Sequence, residues 1–190
     1  MSVVNPNVRF TYEDYKSLPE SMEKRYELLD GDIRMVPAPT TGHQLASQNL
    51  NYLLSQFVRQ RKLGIVFYAP LDVVLGDGEH REVVQPDLMF ISNGRRHIIA
   101  GQEIQGAPDW VIEILSPGTE ERDRGYKKSL YARYGVREYW IVDPKERLAD
   151  VYVLDSQGLG LENRYQSGDL ITSRLLPELA VDVDEIFREA

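Results

Sequence analysis

Trp110-Val111-Ile112-Glu113-Ile114-Leu115-Ser116 is an apolar run interrupted by one acid, and it decides how the rest of the chain is read. Its length and near-continuous apolar character predict a central strand, from Asp109 to Leu115, covered on both faces. Side chains alternate along a strand, so Ile112 and Ile114 point one way while Val111, Glu113 and Leu115 point the other. Pro117-Gly118-Thr119 ends the strand and leads into a helix over roughly 122–134, with Gly135 at its C′ position. Glu138–Val142 is a further strand, closed by Asp143-Pro144.

Upstream, Ile65–Leu75 and Val83–Ile91 read as strands around the turn Gly76-Asp77-Gly78. Before them, Leu50, Leu53, Leu54, Phe57 and Val58 repeat with helical spacing from His43 to about Lys62, and Gly64 stands just beyond. The order from 43 to 143 is therefore α-β-β-β-α-β, an α/β (α+β) fold with a mixed sheet flanked by helices. An N-terminal helix and hairpin occupy 10–36, with Thr11 as N-cap, Asp14 in the capping-box position and Asp30-Gly31 as the hairpin turn. Short strands, including Val151–Leu154, and a small helix near Asp184–Arg188 fill 147–190. With no repeat, low-complexity tract or linker, residues 1–190 read as one domain.

Composition narrows the function classes. Apolar residues make up 42% and charged residues 27% of the 190, which is ordinary for a globular protein. No run is long enough to span a bilayer, and the N-terminus has no basic flank or apolar signal core. The absence of cysteine removes disulfides and thiolate metal sites and fits a cytoplasmic protein. The formal charge of −8 argues against a general coat for nucleic acid. Its distribution is uneven. Residues 144–190 hold 5 basic and 10 acidic residues, whereas over 122–137 Arg122, Arg124, Lys127, Lys128, Arg133 and Arg137 face only Asp123.

A carboxylate buried without a partner is costly, so Glu113 needs a cation, a metal or a raised pKa. A buried ion pair with a lysine and a metal site are about equally open on this residue alone. Asp87 follows Gln85-Pro86, whose ring stiffens the entry to it; alone it reads equally as a turn-capping strand end. Strand pairing would bring Asp87 and Glu113 to a shared edge, and hard oxygen donors favour Mg²⁺ or Mn²⁺. Asp123, Lys127 and Tyr131 lie at i, i+4 and i+8 along one helix face; a surface salt bridge is the plain reading of the first two. His43 opens its helix, either as a polar first-turn residue or as an orienting group. Zinc, serine-nucleophile and phosphate-loop chemistries have no support in the residues present.

Together, Tyr26-Glu27-Leu28-Leu29-Asp30-Gly31, Gln85-Pro86-Asp87, Glu113-Ile114-Leu115-Ser116-Pro117, Asp123-x-x-x-Lys127-x-x-x-Tyr131 and Gly135-Val136-Arg137-Glu138-Tyr139-Trp140-Ile141-Val142-Asp143-Pro144 carry a resemblance. They resemble, in order from about residue 10 to 155, a widespread bacterial family of proposed restriction endonucleases, long carried as a domain of unknown function. That family lies in the PD-(D/E)XK nuclease superfamily, whose core is the α-β-β-β-α-β order. The resemblance implies an endonuclease hydrolysing DNA phosphodiesters with Mg²⁺ or Mn²⁺. It makes Asp87 and Glu113 catalytic metal ligands and Glu27 an additional acid, with His43, Asp123 and Tyr131 in support and Lys128 and Arg124 toward the nucleic-acid backbone. Double-strand cleavage often needs two sites, so a homodimer is the expected assembly. One departure is plain: the superfamily's lysine stands two residues after the second acid, and here that position is Leu115. Lys127 on the following helix is the substitute the superfamily tolerates. If its amine does not reach the acids, the alternative is a silent nuclease fold that binds nucleic acid or protein without cutting.

Overall fold

A computed structural model describes residues 9–19, 25–78 and 80–189. Thr11 caps α1 (Tyr12–Lys16) with the expected capping box: its hydroxyl accepts from the Asp14 N–H, and the Asp14 carboxylate accepts from the Thr11 N–H. β1 (Arg25–Leu29) and β2 (Asp32–Val36) form the expected hairpin, and Asp30 and Gly31 both take positive φ, as a two-residue primed turn requires. α2 (Thr41–Arg61) buries His43, Ala46, Leu50, Leu54 and Val58 along one stripe. Its C-cap is Lys62, in the left-handed region that glycine commonly fills there. Gly64 instead opens β3 (Gly64–Tyr68), where any Cβ would collide with the carbonyl of Ile91 on the neighbouring strand.

The two long strands expected around Gly76–Gly78 are each broken in two. β3 stops at Ala69-Pro70 and the chain restarts as β4 (Asp72–Leu75); β5 (Glu82–Val84) stops at Gln85-Pro86-Asp87 before β6 (Leu88–Ser92). Proline donates nothing to a ladder, so each break is a point where the chain leaves one sheet for another. β3 pairs with β6, whereas β4 pairs with β5 in a different sheet. A 3₁₀ turn (Asn93–Ile98) leads to β7 (Ile99–Ala100) and β8 (Glu103–Gln105), then to β9 (Trp110–Ile114). The following helical stretch runs as α3 (Glu120–Arg122), a π turn (Asp123–Lys127) and α4 (Lys128–Arg133), and Gly135 closes it. β10 (Glu138–Asp143) is succeeded by β11 (Leu148–Asp155) and β12 (Gly158–Tyr165), a longer hairpin than the alternation in the sequence indicates. The short pair β13 (Leu170–Thr172) and β14 (Ala180–Asp182) leads into α5 (Val183–Ile186).

The main sheet has the order β12-β11-β10-β9-β6-β3, with β9 and β10 its one parallel pair, at the centre. α2 and the C-terminal elements cover one face and pack on Ile112, Ile114, Trp110 and Trp140; the two indole rings meet edge to face, with centroids 4.5 Å apart. The opposite face, carrying Val111 and Leu115, packs on Leu130 and Tyr131 and on Val73 and Ile104 of the second sheet, order β2-β1-β5-β4-β8-β7. Glu113 belongs to this second face, as strand alternation requires. Among the described residues no helix is long and apolar enough to cross a membrane.

Candidate active site

The broken strands and the π turn bring the acids together. Asp87 stands where the β6–β9 ladder ends at the pair Leu88–Ile112. Proline cannot continue the ladder, and the Asp87 side chain takes over: its Oδ2 accepts the Ile114 N–H at 2.8 Å. The same oxygen lies 3.1 Å from His43 Nε2 at the start of α2. Glu27 is on β1, an interior strand of the second sheet and not the hairpin edge that its sequence position allows. There it is buried, and its Oε1 accepts the Gln85 N–H at 3.1 Å.

Lys127 ties these groups to Glu113. Its Nζ lies 2.8 Å from Glu27 Oε1, 2.9 Å from Glu113 Oε1 and 3.6 Å from Asp123 Oδ1, and the residue is 3% exposed. Tyr131 donates to the same Glu113 oxygen at 2.6 Å. On an ideal α-helix, positions i, i+4 and i+8 drift round the axis by about 40° per step. The wider turn at Asp123–Lys127 offsets that drift and keeps all three side chains toward β9.

Burial sets the electrostatics. The Glu113 carboxyl is raised above its ordinary pKa, chiefly by desolvation; Lys127 opposes the shift, and Asp123, Asp87 and Glu27 add to it. Asp123 is raised for the same leading reason. Burial works against the Lys127 ammonium, but Glu113, Glu27 and Asp123 outweigh it and hold the amine charged. With Glu27, Asp87, Glu113 and Asp123 all ionised, the lining cations Arg25, Arg122 and Lys127 leave one formal negative charge uncompensated.

These residues surround a small cleft, about 30 Å³, lined by Glu27, His43, Asp87, Glu113, Arg122, Asp123 and Lys127. One water fills such a volume. Among the described residues, Glu27 Oε2 and Asp123 Oδ1 are buried there without hydrogen-bond partners. Among the described residues no three acidic or imidazole groups converge as a ready-made cation cage, because the Lys127 ammonium lies between the carboxylates. The hard oxygen donors and the two orphaned carboxylate oxygens nonetheless fit a divalent ion admitted by small side-chain adjustments.

Among the sequence candidates, Asp87, Glu113, Glu27, His43, Asp123 and Lys127 meet at this cleft, and Tyr131 stands behind it, bonded to Glu113. Lys128 and Arg124 do not. Lys128 lies over the Tyr152 ring, 5.0 Å from its centroid, and Arg124 is held by Asp150 at 2.8 Å and Glu120 at 3.2 Å. Arg122 escaped the sequence reading beyond its place in a basic stretch. Its Nη2 is 3.5 Å from Glu27 Oε2, yet among the described residues Nε and Nη2 are buried without a hydrogen-bond partner. It also lines a neighbouring groove of about 600 Å³ beside the β1–β2 turn. Sequence could have flagged Arg122 only as the residue preceding Asp123; nothing in its spacing says that it is buried.

Comparison with known proteins places this architecture among relatives. An uncharacterized protein of Synechocystis sp. is 26% identical over 184 residues, 96% of this chain and 94% of its own length. The crystal structure of a putative nuclease belonging to DUF820 from Anabaena variabilis matches with a TM-score of 0.77 at 24% identity, covering 94% of this chain and 97% of that one. The fold is accordingly restriction-endonuclease-like. The family model described as "Putative restriction endonuclease" matches residues 12–184, and the chain belongs to that family, Uma2.

Proposed function

We propose that this protein is a divalent-metal-dependent endonuclease that hydrolyses DNA phosphodiester bonds, with Asp87 and Glu113 as the principal ligands of Mg²⁺ or Mn²⁺ and Glu27 as a third acid. The observation that carries the reading is the Lys127 ammonium 2.9 Å from Glu113 Oε1, in the cleft that Asp87 and Glu27 also line. This is the position from which a lysine on the helix can stand in for the one missing at Leu115. A bound divalent ion would supply charge neutralisation at the phosphate and a water of lowered pKa. The chain's own part is positional and electrostatic. His43 and the Ile114 N–H fix Asp87, Tyr131 and Lys127 fix Glu113, and Lys127 offsets charge that gathers on the phosphoryl oxygens in the transition state. Hydrolysis adds water across one P–O bond. The new bond forms in line with the one that breaks, one product keeps the phosphate, and the other leaves as a free hydroxyl.

The test is incubation of plasmid, linear duplex and single-stranded DNA with Mg²⁺, Mn²⁺ or EDTA. Metal-dependent nicking or cutting is expected, with linear product from duplex if two copies act together. A chain that binds DNA but cuts none of these substrates with either metal overturns the nuclease reading in favour of the silent binding module.

Two further outcomes follow from the cleft. Glu113 must release its proton before it can hold a cation, and its pKa is raised, so the proton competes above the ordinary carboxylate range. Affinity for Mn²⁺ should therefore climb with pH, by up to about tenfold per unit, and binding should release a proton, visible in calorimetry as a buffer-dependent heat. Constant affinity between about pH 5 and 8 would count against Glu113 as a ligand. Arg122 has donors to spare beside the cleft, a natural seat for a phosphate oxygen. Arg122→Ala should raise KM for DNA about tenfold or more without weakening Mn²⁺ binding, whereas unchanged KM would make Arg122 a partner of Glu27 only.

A further inference from the structure

From Thr41 to Val58 the chain contains no Asp, Glu, Lys or Arg, although 27% of the protein is charged. This span forms most of α2. One stripe of the helix is buried in the core, and the outward side of a surface helix ordinarily shows charge to water. Here it shows Gln44, Ser47, Gln48 and Asn51, spaced i, i+3, i+4 and i+7 on a single face. Among the described residues, the side chains of Gln44, Ser47 and Gln48 make no hydrogen bond, while Asn51 accepts one from Ser55.

This face is continuous with the candidate active site. Gln44, Ser47, Gln48 and Asn51 line a groove of about 300 Å³ together with Tyr68, and that groove shares Arg25, His43 and Asp87 with the carboxylate cleft. Tyr68 is 59% exposed at its rim. We propose that this face of α2 reads the base edges of duplex DNA on one side of the cleaved phosphate, with Gln44, Gln48 and Asn51 setting base preference; the proposal rests on the nuclease reading.

The chemistry favours bases over backbone as the occupant. Phosphate contacts draw their affinity from cations and released counterions, and this face carries none within the groove except Arg25. Amide side chains offer a donor beside an acceptor, the pair that matches the N6 and N7 edge of adenine in the major groove, and that groove is wide enough for a helix. An acidic chain gains little from non-specific attraction to DNA, so hydrogen bonds to bases carry more of its recognition. α2 turns basic only at its far end, at Arg59, Arg61 and Lys62, about 22 Å from Gln44 at the helical rise. That end is placed to meet the backbone further along the duplex.

The experiment compares the native chain with the double variant Gln44→Ala/Gln48→Ala on a duplex library of randomised sequence, cut with Mn²⁺ and sequenced at the new ends. Native ends should show a base preference confined to a few positions on one side of the cut. The double variant should lose about fivefold or more of that discrimination, read as the ratio of preferred to other bases among the cut ends. An identical preference in both chains, or none in the native chain, overturns the inference and leaves the nuclease reading standing. If neither chain cuts, the same comparison is made by selecting bound duplexes, where loss of preference in the double variant supports base reading. Absence of both cutting and duplex binding, or binding to RNA alone, overturns both readings.

Discussion

Asp87→Asn is expected to lower metal-dependent DNA cleavage by about a thousandfold or more, equivalent to roughly 4 kcal/mol of transition-state stabilisation, with little change in thermal stability. Asparagine is the informative replacement because Asp87 has two duties. Its Oδ2 accepts the Ile114 N–H at the end of the β6–β9 ladder, and an amide oxygen preserves that acceptor while removing the charge. Alanine would leave the N–H without its partner at a cost of about 1–3 kcal/mol and confuse lost folding with lost chemistry. Glu113→Gln is the companion change, since its amide oxygen can still accept from Lys127 and Tyr131. Both variants should lose Mn²⁺ binding in calorimetry. Cleavage within tenfold of native in either variant would remove that residue from the metal site.

Lys127→Met is the second large effect, and it falls on the fold as well as on activity. The amine is the cation nearest Glu27, Glu113 and Asp123, all buried beside it. Removing one partner from a buried ionic cluster leaves unbalanced charge in a poorly solvated site and costs about 3–5 kcal/mol. The pH dependence of that loss has a defined sign. The folded-state pKa values of Glu113 and Asp123 are already raised, and without the ammonium they rise further. Stability tied to a raised pKa is intact below the unfolded-state value and is lost as pH climbs. The variant should therefore be hurt most at pH 8 and recover toward pH 5 as the carboxyls protonate. Adding Glu113→Gln removes one of the stranded charges and should return part of the loss. A destabilisation of Lys127→Met below about 1 kcal/mol at pH 8 in a urea titration would show that the cluster is not the compensated ionic core described above.

Much of this arrangement was legible in the chain. The run Trp110–Leu115 announced a central strand with Glu113 on the side opposite Ile112 and Ile114, because side-chain alternation depends on the backbone alone. The hairpin turn at Asp30-Gly31 and the capping box at Thr11 were equally local, written in residues that touch their own neighbours. The reach of Lys127 to the acids was legible as a question only. Leu115 showed that the usual lysine was missing, and i, i+4, i+8 spacing named Lys127, but no sequence rule measures the reach of a side chain across to another element. The breaks at Pro70 and Pro86 do not show in the sequence as sheet crossings. Each proline was visible, but an apolar stretch on either side looks the same whether the chain stays in one sheet or crosses to a second.

The sequence by itself determined the order α-β-β-β-α-β, the faces of its strands and the identity of the acids, since these depend on periodicity, turn chemistry and the cost of a charge in an apolar run. Tertiary structure decided which of those charges meet. Glu27 and Lys127 lie a hundred residues apart, yet their charged atoms are 2.8 Å apart, while Arg124, three residues before Lys127, is drawn away to Asp150. The reason is physical. Ion pairing and desolvation depend on distances of a few ångströms, and those distances are set by how two sheets and a π turn pack.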